Sequence, residues 1–119
     1  MAASTVPQAV QSCHELLLWV IPQIDKFPRV RRFTLGERIE TGLLRVLELL
    51  VEAAYSRNKD ESLRQANLQL ELVRHLWRLA HELKVMATRQ YEHGAVLIDD
   101  LGRQIGGWLR SQHTTEPQP

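Results

Sequence analysis

Apolar residues recur along this chain with helical rather than strand periodicity. Between Pro7 and Asp25, the residues Val10, Cys13, Leu17, Val20 and Ile24 follow 3-4-3-4 spacing, one stripe of an α-helix over about 7–25. Pro7 suits a first-turn position, whereas Pro22 is expected to kink that helix or end it early. A break follows over residues 26–33, where Pro28 biases Phe27 toward extended backbone. Thr34 and Glu37 then have the T-x-x-E spacing of a capping box, which predicts a second helix over about 34–55. Its stripe Ile39, Leu43, Val46, Leu50 and Ala53 runs beside a second one, Leu44, Leu47, Val51 and Ala54. So wide an apolar face predicts contact with several neighbours.

Residues 56–59 form the next break, and Asp60 is placed to N-cap a third helix over about 60–84. This helix also carries two apolar sets. One is Leu63, Ala66, Leu70, Val73, Trp77 and Ala80; the other is Leu68, Leu72, Leu76, Leu79 and Leu83. A short connection through Thr88 leads to a fourth helix over about 89–110, where Tyr91, Ala95, Ile98, Gly102, Ile105 and Leu109 keep one face. The polar, proline-containing residues 111–119 read as a flexible tail. Short connections favour antiparallel neighbours. The expected fold is therefore all-α, an up-down-up-down antiparallel four-helix bundle forming a single domain over 1–119.

Charge narrows the possible partners. Fifteen basic and fourteen acidic residues leave a net +1, which excludes both a histone-like polycation and an acidic solvating tail. Nucleic-acid binding would have to come from local placement of charge. The one cysteine, Cys13, has no internal partner, as in a reducing compartment, and it fits as a small buried hydrophobe. The strongly apolar run 16–21 is far short of the ~20 residues that span a bilayer. No basic segment precedes it, so a cytoplasmic protein without membrane contact is expected.

Motifs for catalysis are missing. The chain has no phosphate-cradling Gly-x-x-x-x-Gly-Lys loop, no Gly-x-Ser-x-Gly elbow, no His-Glu-x-x-His and no Glu-x-x-His pair for a di-iron bundle. No catalytic residue, cofactor or metal site is expected. His75, His81 and Glu82 are the one group that a ligand-binding cleft would use, and Asp99 lies four residues before Arg103, the spacing of a surface ion pair.

The basic segment is more informative. Lys26, Arg29, Arg31, Arg32 and Arg38 share residues 26–38 with one acid, Glu37, and interleave with Phe27 and Phe33. The two aromatics either stack on bases or anchor the loop. The plain alternative is a solvated loop whose arginine stems cover apolar surface. Gly102, Gly106 and Gly107 interrupt the fourth helix, each at a cost of up to ~1 kcal/mol relative to Ala. Gly102 and Gly106 share one face, which predicts close approach of another helix. Trp108 beside them fits a groove between helices or between subunits, and self-assembly is expected over a monomer.

Two segments resemble a known family. Residues 97–109, LIDDLGRQIGGWL, look like the last helix of the Avd proteins, the accessory variability determinants of diversity-generating retroelements. Residues 27–39, FPRVRRFTLGERI, look like that family's basic, proline-containing entry into its second helix. The ribosomal-RNA intervening-sequence proteins share the bundle, but their central Ser-Ile-Pro-Ala-Asn-Ile-Ala-Glu-Gly-like stretch is absent here. The resemblance implies a barrel-like homopentamer of four-helix bundles that binds nucleic acid and a reverse transcriptase, supporting mutagenic cDNA synthesis without a catalytic site of its own. It carries over to Arg29, Arg31, Arg32 and Arg38 around the break and to Arg103 in the last motif. Avd proteins are typically strongly basic, and this chain is nearly neutral. The competing expectation is an oligomeric assembly module that binds only protein.

Overall fold

Two prolines start the first two helices in the same way. Pro7 (φ −54°, ψ 141°) precedes α1, Gln8–Asp25, and Pro28 (φ −54°, ψ 143°) precedes the second helical rod. The Pro7 carbonyl accepts the N–H groups of Val10 and Gln11 at 3.0 and 3.2 Å, and the Pro28 carbonyl those of Arg31 and Arg32 at 2.8 and 2.9 Å. A fixed φ presets the turn, so neither helix uses a side-chain cap. These features come from a computed structural model, which describes residues 7–114.

The second rod therefore starts at Arg29 and not at Thr34. It comprises a helical turn, Arg29–Arg31, a π-helical stretch, Arg32–Gly36, and α2, Glu37–Tyr55. The expected capping box is not formed. Thr34 Oγ1 instead donates back to the carbonyls of Val30 at 3.0 Å and Arg31 at 3.4 Å, within a helix that Pro28 has already begun. Nor does Pro22 end α1, which continues to Asp25. Pro22 and Leu18, whose carbonyl loses its usual partner there, both lie on the solvent side.

α3 is Asp60–Glu82 and α4 is Thr88–Thr114. Asp60 does not cap α3, because its carboxylate is drawn to Arg64 Nε at 2.5 Å and lies 3.0 Å from His113 Nε2. The preceding Lys59 closes the other side of the corner, donating to the carbonyls of Ala53 and Ser56 at 2.8 Å each, where the negative end of α2 favours a cation. α4 runs on through residues 111–114, which belong to its last turn rather than to a tail. The expected tail residues 115–119 lie outside the described residues.

α3 ends in a Schellman turn. Val85 N–H reaches the Ala80 carbonyl at 3.0 Å and Lys84 N–H the His81 carbonyl at 2.9 Å. Lys84 occupies the left-handed position, φ 62°, that glycine usually takes there.

Paired contacts fix the topology. Between α3 and α4, Trp77 Nε1 donates to the Tyr91 carbonyl at 2.9 Å, Arg74 Nε meets Asp99 at 3.1 Å and Asp60 meets His113. As one number rises the other falls, so the helices are antiparallel. Gln90 Nε2 donates to Gln23 Oε1 at 2.6 Å and His93 lies on Trp19, which sets the start of α4 against the end of α1. α1 packs on α2 and α4, and α3 packs on the same two. Four helices thus close around one core, 56 × 27 × 22 Å overall, and no strand occurs among the described residues.

The core contains the first stripes of α2 and α3, with Cys13, Leu17, Val20 and Ile24 of α1 and Ile98 and Ile105 of α4, while Val10, Tyr91, Ala95 and Leu109 pack half-buried at its margin. Ile39, Leu43, Val46, Leu50 and Ala53 of α2 are fully buried, as are Leu63, Ala66, Val73 and Ala80 of α3, with Leu70 and Trp77 at 1 % exposure. Close approach depends on two glycines that sequence spacing did not single out. A Cβ on Gly94 would overlap the Trp77 indole, and one on Gly42 would lie 2.9 Å from Val73 Cγ2. Burial pushes the Cys13 thiol up to about 12, so it stays protonated and inert in this core.

Candidate nucleic-acid interface

The basic segment sits at the end of the bundle where α1 finishes and α2 begins. Phe27 turns inward and is 5 % exposed, packed on the rest of the core. Gly36 lies directly over it, since a Cβ there would sit 2.8 Å from Ile24 Cγ2 and 3.3 Å from Phe27 Cδ2. These two anchors pin the π-helical stretch onto α1 and leave its outer side to solvent. Val30 and Phe33 are 68 % and 59 % exposed there. The two phenylalanines thus separate the alternatives that sequence left open: Phe27 anchors, and Phe33 is displayed.

Lys26, Arg29, Arg32 and Arg38 are exposed and Arg31 is half-buried. Arg32 reaches Asp25 at 3.7 Å and lies 5.2 Å from the centre of the Phe33 ring, a cation–π contact. Among the described residues, Lys26, Arg29, Arg31 and Arg38 have no carboxylate within ion-pair distance, and Glu37 neutralises none of them. Arg31, Phe33 and Arg38 line a shallow groove of ≈ 470 Å³ whose apolar side is Leu76, Leu79 and Leu83 of α3. Those leucines belong to the second apolar set of α3, whose spacing does not reveal that they meet the arginines.

Arg103 is not part of this surface. It lies fifteen residues into α4, roughly 22 Å from Thr88 at 1.5 Å per residue, and pairs with Asp100. Asp99, the partner its spacing suggested, goes instead to Arg74, which also holds Glu71. The interhelical contact with Arg74 takes Asp99 away from its own helix face. His75, His81 and Glu82 are not brought together either. His81 stacks on Tyr91, with ring centres 4.3 Å apart, and Glu82 accepts from Arg78 at 2.9 Å. No cluster of three metal-ligating side chains occurs among the described residues.

The glycines of α4 behave unequally. A Cβ on Gly102 would lie 3.1 Å from Arg74 Nη2 and 3.7 Å from Leu70 Cδ2, so α3 does approach closely there. At Gly106 and Gly107 a Cβ would meet only the Arg110 side chain, at 3.4 and 3.9 Å. Among the described residues, no other helix comes within 4 Å of a Cβ at either position. Gly107 and the half-buried Trp108 instead line a second cavity of ≈ 480 Å³, with Pro7, Ala9, Ala54 and Gln104.

The second stripes are covered only in part, at Leu47, Ala54 and Leu76. On α2, Leu44 and Val51 are 38 % and 39 % exposed; on α3, Leu68, Leu72, Leu79 and Leu83 range from 43 % to 74 %. Tyr55, at 90 %, continues the α2 row. Contiguous apolar surface of this kind marks association sites on soluble proteins. No helix among the described residues is long and apolar enough to cross a membrane.

The sequence model of a family described as bAvd-like matches residues 8–112. A comparison with curated proteins found no match.

Proposed function

The chain belongs to the bAvd-like family, and from that premise we propose that it is an accessory protein of a diversity-generating retroelement. In this reading it has no catalytic role. It acts in the cytoplasm, binding the reverse transcriptase and nucleic acid to support mutagenic cDNA synthesis. The observation that carries the nucleic-acid part is the set of exposed Lys26, Arg29 and Arg38 with half-buried Arg31, at one end of the bundle and without carboxylate partners. Unpaired cations there raise the local potential although the whole chain is nearly neutral. They meet phosphates, and they position nucleic acid without reading its sequence.

Assembly is the second element of the proposal. The open stripes of α2 and α3 fit a homo-oligomer, and the family resemblance puts the number at five. Repeating one basic end around a ring multiplies weak contacts without raising the charge per chain.

Binding to structured RNA and duplex DNA over a salt series tests the first element, beside an Arg29/Arg31/Arg38→Ala variant. The expected result is binding that weakens steeply with salt, by a slope of about −0.9 per phosphate neutralised on duplex DNA. The variant should bind weakly and with a flatter slope. Absence of binding at low salt leaves the module that binds only protein, which the bare leucines of α2 and α3 favour. Co-purification with the reverse transcriptase tests the partner.

A further inference from the structure

We propose that Phe33 is a stacking platform for an unpaired base, so that this end of the bundle takes single-stranded nucleic acid in preference to duplex. The proposal rests on the nucleic-acid reading above and adds a ligand class and a residue to it. Three observations support it. Phe33 is 59 % exposed and so presents an aromatic ring to solvent. Arg32 lies 5.2 Å from the ring centre, which sets a cation beside the proposed stacking surface. Arg31 and Arg38, both without carboxylate partners, line the groove that Phe33 borders.

That combination of an aromatic face flanked by free cations is what sequence-tolerant single-strand binding requires. Bases offer a π-face, and successive phosphates run along the basic groove. A paired base in a duplex hides its faces within the stack, so only phosphate contacts remain available to it. The ring is held in place from below. Phe27 is buried beneath the segment, Gly36 fits against Ile24, and Thr34 Oγ1 ties the π-helical turn to Val30 and Arg31. A π-helical turn in this position widens the helix locally and frequently marks a functional surface.

The test uses the full chain and its Phe33→Ala, Phe33→Leu and Phe33→Trp variants. Each is titrated against fluorescently labelled oligo(U) and against a blunt RNA duplex of equal nucleotide content, with mass followed by light scattering. Stacking on an aromatic predicts a 5- to 100-fold loss of oligo(U) affinity for Ala and Leu alike, about the range of one lost stack, while Trp retains it. Duplex affinity should change by less than about twofold. Leu behaving as wild type would assign the ring to a plain apolar contact and overturn the proposal. Equal losses on both ligands, or equal wild-type affinity for both, would overturn it too while the nucleic-acid reading stands. Binding to neither ligand by any of the four proteins would bring down both. A change in mass for Phe33→Ala would place the ring in a subunit interface and overturn the single-strand assignment.

Discussion

The two apolar faces of α3 are nearly equal in sequence and opposite in fate. The inner face, Leu63 to Ala80, is sealed by α2 and α4 to 1 % exposure or less. The outer face, Leu68 to Leu83, carries five leucines against two, yet four of the five stand 43 % to 74 % exposed. Helical periodicity reports that a face is apolar and does not identify what covers it. The inner face is distinguished by a few shape-specific residues, Gly42 and Gly94, that let backbones come close to Val73 and Trp77. The outer face of α3 has no such notch within the chain.

The largest effect should come from the inner side. Trp77→Ala empties a site closed by α4 and removes the hydrogen bond to the Tyr91 carbonyl; it should cost about 3–5 kcal/mol in urea denaturation. Gly94→Ala should cost about 1–3 kcal/mol by forcing the indole aside. Loss of less than half a unit in either case would mean that Trp77 is not the keystone its burial indicates.

The outer side should respond in the reverse manner. Leu68→Glu with Leu72→Glu should leave the folding stability of one chain within about 0.5 kcal/mol, as for surface substitutions, while sedimentation shows the oligomer dissociated. An oligomer unchanged in mass would remove this stripe from the interface.

The ends of α3 offer finer tests. Lys84→Gly relieves the left-handed backbone of the Schellman turn and, after the added freedom of the unfolded chain, should stabilise by about 0.5 kcal/mol. At the other end, the Arg64 hydrogen bond holds the Asp60 carboxyl below its ordinary value of 3.8. A depressed folded value means that this stabilisation is present above the unfolded value and lost as pH falls through the folded one. Thermal midpoints measured from pH 5 downward should therefore fall more steeply for the wild type than for Asp60→Asn. Parallel curves would show that the pair contributes nothing.

Much of this was legible beforehand. All-helical architecture and the inner stripes of α2 and α3 followed from spacing, because burial on one face imposes a period that few other causes produce. Start signals were less legible. Thr34, Glu37 and Asp60 had the right residue types for caps, but Pro28 began its helix earlier and Arg64 with His113 claimed the Asp60 carboxylate. Side-chain competition of this kind is set by three-dimensional neighbours. The same holds for Asp99, which left Arg103 for Arg74 across a helix interface. At the candidate site, the basic cluster was visible as a local excess of arginine. Its division into an anchor, Phe27, and a displayed ring, Phe33, was not, because the short proline-started turn between them, which runs into the π-helical stretch, has no apolar period to read.

That turn also sets the angular phase of everything before it. One residue in an α-helix corresponds to about 100° of rotation, and a π-helical turn is one residue longer than the α-turn it replaces. Deleting a single residue from 32–36 would swing the preceding turn round the rod by about that angle. The bundle beyond Glu37, Arg38 included, would keep its register, and Arg29 and Arg31 would face a different direction. The extra residue works as an indexing tooth between the core and its basic end, which makes length in this segment as tightly constrained as composition.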